Sequence, residues 1–122
     1  MGLYHELPVY KDTYQLILYL YDFTKDFPRE YKYTLGQDIK RDGMLLVRCI
    51  YKANKNVDKQ PHLDEFLDHF ELIKLQVRLA VDMKLLSIKR QAVLIELMDK
   101  IGKQVNGWRK IASSQSPKGH GV

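Results

Sequence analysis

Apolar residues recur at three- and four-residue spacing in four separate stretches of this chain, with proline or small polar residues between them. That period matches the turn of an α-helix and not the alternation of a half-buried strand. The first stretch runs from about Tyr10 to Asp26, with Tyr10, Tyr14, Ile17 and Tyr21 on a side that Leu16, Leu20 and Phe23 widen. Phe27-Pro28 ends it, because proline drives the residue before it out of the α region. Thr34 and Gln37 have capping-box spacing, so a second helix is expected from near Leu35 to about Asn54, with Ile39, Leu46, Cys49, Ile50 and Ala53 inward.

Pro61, followed by Asp64 and Glu65, suits a third helix start, and the pattern extends from about His62 to Leu85. Leu63, Phe66, Phe70, Val77 and Val81 line one side of it, and Leu72, Leu75, Leu79 and Met83 line another. A helix that is apolar most of the way round needs cover most of the way round, which predicts self-association. Ser87 serves as N-cap of a fourth helix whose inward arc is Leu94, Met98, Ile101, Val105, Trp108 and Ala112. Gly102 at the edge of that arc allows a close helix approach.

A chain of 122 residues supports one core rather than two. Short links make consecutive helices antiparallel neighbours, so the expected fold is all-α, an antiparallel up-down-up-down four-helix bundle. The bundle occupies 1–112, and 113–122, rich in Ser and Gly, is expected to be a flexible C-terminal tail. A lone cysteine rules out an intrachain disulfide, and neither a signal segment nor a membrane-length apolar run is present, so a cytoplasmic location is expected.

The net charge of +5 is unevenly distributed. Residues 34–56 hold five Lys/Arg against two acids, and residues 87–112 hold six against two, whereas 1–33 and 61–86 are slightly acidic. At steps of about 100° per residue, Arg41, Arg48, Lys52 and Lys55 fall in one arc of the second helix. Lys100, Lys103 and Lys110 form a second group, opposite the apolar arc of the fourth helix. Such cations either solvate an outer face or neutralise phosphates, giving affinity with little sequence information. Asp42 falls inside the apolar arc of the second helix and needs a partner. Arg78 on the third helix is the candidate. The tyrosines, five of them between Tyr4 and Tyr21, suit a core rim or a subunit contact.

Catalytic chemistry has little to build on. His62 and His69 are two turns apart, too far to ligate one ion directly, and His5 and His120 stand alone. Cys49 has no histidine near it in its own helix and is expected to fill the core. There is no phosphate-binding glycine loop, no His-Glu-x-x-His and no Glu-x-x-His of di-iron bundles. A small helical enzyme would need Arg78, Asp42 and Glu71 around a pocket. The expectation is therefore no catalytic residues, no metal and no cofactor.

Several blocks together are similar to a known family. They are Phe27-Pro28-Arg29-Glu30-Tyr31-Lys32-Tyr33, Leu35-Gly36-Gln37 with Ile39-Lys40-Arg41, LQVRLA at 75–80, Leu85-Leu86-Ser87, and Ile101-Gly102-Lys103 with Asn106-Gly107-Trp108. Over about residues 9–112 the chain resembles the accessory variability determinant proteins of diversity-generating retroelements. These belong to a wider group of four-helix proteins that includes those encoded in intervening sequences of ribosomal RNA. Where the family often carries two adjacent glycines, this chain has Asn106-Gly107. The resemblance implies a basic pentameric barrel of four-helix bundles that binds a reverse transcriptase and its template RNA, or an RNA/DNA hybrid, and supports mutagenic cDNA synthesis. By that resemblance Arg41, Arg48, Lys52 and Lys55, and then Lys100, Lys103 and Lys110, are the candidate polymerase or nucleic-acid contacts. A protein-only assembly module without nucleic-acid binding is the alternative.

Overall fold

A computed structural model describes residues 3–115. A short 3-10 turn, Tyr4–Glu6, leads into α1 (Pro8–Thr24), followed by a four-residue α2 (Arg29–Lys32), α3 (Leu35–Lys55), α4 (Gln60–Asp82) and α5 (Ile88–Gln115). The four long helices are the four periodic stretches. α5 passes the expected domain edge by three residues, and 116–122 of the expected tail, with His120, lie outside the described residues.

Cross-helix contacts fix the topology. Gly43 of α3 lies against Leu20 and Ile17 of α1 while Gly36 lies against Thr24. Gln76 of α4 reaches Asp42 of α3, and Lys52 reaches Glu65. Arg109 of α5 pairs with Asp64 of α4 while Gly102 lies against Phe70. Arg90 bonds Asp26 at 3.0 Å while Gln104 bonds Asp12 at 2.6 Å, closing α5 against α1. In each pair residue numbers rise on one helix as they fall on the other, so all four neighbours are antiparallel. α3 and α5 each pack against α1 and α4 and stand at diagonal corners. This is the expected up-down-up-down four-helix bundle.

The shared interior contains Leu16, Leu46, Ile50, Phe66, Phe70 and Ile101, all with almost no exposure. Helix ends explain why the stretches stop where they do. Ser87 Oγ accepts from the Arg90 amide at 3.1 Å, as an N-cap should. α4 ends in a Schellman arrangement: the Leu85 amide donates to the Ala80 carbonyl at 2.8 Å, and Lys84 takes φ 62°.

Two local expectations are corrected. Thr34 does not cap α3, because its hydroxyl donates backward to the Glu30 carbonyl at 3.0 Å and closes α2 instead. Gly102 does not mark a tight approach either: a Cβ there would meet Phe70 at an ordinary 3.6 Å. The close approach is at Gly43, where a Cβ would stand 3.2 Å from Leu20 Cδ1.

Candidate nucleic-acid interface

α3 is one uninterrupted helix, so Arg41, Arg48, Lys52 and Lys55 keep the common arc that the sequence gives them. From Arg41 to Lys55 the stripe is about 21 Å long at the helical rise per residue. Arg41 is exposed and holds Asp38 at 3.2 Å. Arg48 is exposed. Lys52 is half-buried, with Glu65 of α4 at 3.7 Å. Lys55 bonds the Tyr51 hydroxyl at 3.3 Å and sits 4.6 Å from the centre of that ring.

Aromatic rings border this stripe, and sequence reasoning did not connect them to it. Tyr51 meets Tyr4 edge-on, Tyr4 meets Tyr10, and Tyr10 stacks near Tyr14. Further along the bundle Lys40 lies 5.3 Å from the Tyr21 ring. Tyr14, Tyr21 and Tyr51 are exposed, so accessible rings lie beside Lys40 and Lys55 where α1 meets α3. The signal in the sequence was the tyrosine periodicity of α1, which needs the pairing of α1 with α3 to become a surface.

Lys100, Lys103 and Lys110 are exposed on α5, at the opposite corner of the bundle from α3. The two basic groups therefore do not merge within one chain. Lys100 lies 3.5 Å from Asp12, and Lys100 and Lys103 border a cleft that also contains Glu96 and Asp99. Acids accompany both groups: Asp38 and Glu65 pair with the stripe on α3 as Asp12 pairs with Lys100.

The expected Asp42–Arg78 pair does not form. Asp42 is buried, and its Oδ2 accepts from Gln76 Nε2 at 2.9 Å while Oδ1 accepts from Arg41 Nε at 3.4 Å. Arg78 is 78% exposed and faces Asp82 at 3.9 Å. Two residues along a helix is about 200° of rotation, so once Gln76 points inward Arg78 must point out. A pocket built from Arg78, Asp42 and Glu71 is thereby removed.

The bundle also joins groups that the sequence kept apart. Cys49 of α3 and Glu65 and His69 of α4 bring a sulfur, a carboxylate oxygen and a ring nitrogen within 4.8 Å of one another. Burial, followed by the Glu65 charge, pushes the Cys49 thiol up to about 11. His69 Nε2 lies 3.4 Å from Glu65 Oε2.

An apolar strip on the outer side of α4 stays uncovered. Leu72, Leu75 and Leu79 are exposed, Leu75 at 62%, with Met83 following at the helix end and Ile95 exposed on α5. No helix among the described residues is long and apolar enough to cross a membrane.

A family model described as bAvd-like matches residues 8–112, which is most of the chain and all four long helices. No curated protein matches.

Proposed function

The chain belongs to the bAvd-like family, and from that premise we propose that it binds a retroelement reverse transcriptase and its template RNA to support mutagenic cDNA synthesis. Members of the family are accessory proteins without catalytic chemistry of their own. The observation that carries the proposal is the row of Arg41, Arg48, Lys52 and Lys55 along one arc of α3, which is long enough to meet several phosphates at once. Exposed tyrosines beside Lys55 and Lys40 add ring faces to which bases can stack.

Self-assembly is part of the proposal. Leu72, Leu75 and Leu79 are an apolar strip that a second copy would cover. Repeating the stripe around a homo-oligomer, a pentamer by family resemblance, turns a modest patch into a strong field.

The test is charge reversal at two corners of the bundle. Arg48→Glu with Lys55→Glu should weaken RNA binding at least tenfold, lower the salt slope by about 2 and reduce co-purification of the cognate reverse transcriptase. Lys103→Glu with Lys110→Glu tests the second basic group, at the opposite corner of the bundle, separately. If both double variants retain RNA and polymerase at wild-type levels, the basic surface is not the interface. The apolar strip on α4 would then favour a protein-only assembly module, with partner binding indifferent to salt.

A further inference from the structure

We propose that Cys49, Glu65 and His69 form a binding site for a zinc-class divalent transition-metal ion between α3 and α4. Glu65 and His69 are one turn apart on α4, and Cys49 faces them from α3, so the three donors converge from two rigid elements. Sulfur, imidazole nitrogen and a carboxylate oxygen are the donor set of zinc and its neighbours, not of magnesium or calcium.

The geometry needs little change. Donors bound to zinc at about 2.0–2.3 Å stand roughly 3.5 Å apart in a tetrahedron, against 4.8 Å at most here. Glu65 is 43% exposed and His69 24%, so both side chains can swing inward by that amount, while Cys49 stays buried. With three protein donors, water completes the coordination from the Glu65 side.

Charge balance favours loading. The ion replaces the thiol proton, which passes to solvent, and thiolate, carboxylate and neutral imidazole then bring the dication to a net charge of zero. Burial that opposes a bare thiolate does not oppose a neutral cluster. Lys52 stands 3.7 Å from Glu65 Oε1, and His69 lies against Oε2, so a carboxylate that binds the ion through one oxygen can keep Lys52 on the other. The site itself does not depend on the proposed RNA or polymerase binding.

Cobalt(II) titration of the metal-free full-length protein tests the site, because Cys49 is the chain's single cysteine and any thiolate signal must come from it. The expected result is a saturable thiolate-to-cobalt charge-transfer band at one ion per chain, bleached by zinc and untouched by magnesium. Glu65→Gln and His69→Ala should each weaken binding at least tenfold, with helical circular dichroism unchanged. Glu65→Gln is nearly isosteric and half exposed, so it keeps the test independent of folding. Absence of the band in wild type, its persistence in Cys49→Ala, or wild-type affinity in Glu65→Gln would each overturn the proposal.

Discussion

Gln76 donates to Asp42 across the interface of α3 and α4 at 2.9 Å, and this bond sets the cost of holding a carboxylate inside the bundle. Arg41 adds only long, partly exposed contacts to the other carboxylate oxygen. Gln76→Leu fills similar volume but leaves the carboxylate short of its one buried donor, and should cost about 3 kcal/mol. Arg78→Leu should change stability by less than about 0.5 kcal/mol, because Arg78 holds only a solvent-facing contact with Asp82. Urea denaturation of the two variants distinguishes this arrangement from an Asp42–Arg78 pair, for which the order would be reversed.

Glycines on two helices should respond differently to alanine. Nothing lies within 4 Å of a Cβ at Gly107, so Gly107→Ala should gain about 0.5–1 kcal/mol from helix propensity. At Gly43 the added methyl meets Leu20, which is itself buried and closely packed. Gly43→Ala should therefore end at least about 1 kcal/mol below Gly107→Ala. Thermal unfolding at fixed protein concentration checks the difference.

Alkaline pH should weaken the fold through Cys49. Its thiol has an ordinary value of 9.0 and is pushed up to about 11, first by burial and then by Glu65. The folded state holds this proton more tightly than the unfolded chain does. The resulting stability is complete below about pH 9 and is lost as pH rises through about 11. Measured in the presence of a chelator, wild type should lose about 2 kcal/mol more than Cys49→Ala across that window, while tyrosines and lysines titrate equally in both. Parallel profiles would show that the thiol is not held protonated.

The helices and their order were legible because apolar period, Pro28 and Ser87 are local signals. Local signals also misled: Thr34 and Gln37 have capping-box spacing, yet the Glu30 carbonyl lies nearer the Thr34 hydroxyl once α2 forms. Relations between helices were harder to read, since they depend on rotation about each axis and on register. Arg78 shares α4 with Gln76 but lies about 200° round the axis from it, which turns it outward. The same antiparallel register that sets Asp42 opposite Gln76 sets Cys49 opposite His69, so one correct pair would have exposed the other. The stripe on α3 was readable because it lies on a single helix. Its aromatic border was not, because those rings come mainly from α1 and from the turn before it.

Light scattering after size exclusion, with and without a structured RNA at low and moderate salt, tests most directly whether this bundle is a basic assembling scaffold. A pentamer-sized particle that retains RNA at low salt and releases it as salt rises is the predicted result. A monomer or small oligomer whose elution ignores RNA at both salts would contradict it and leave the cations of α3 as an ordinary solvated face.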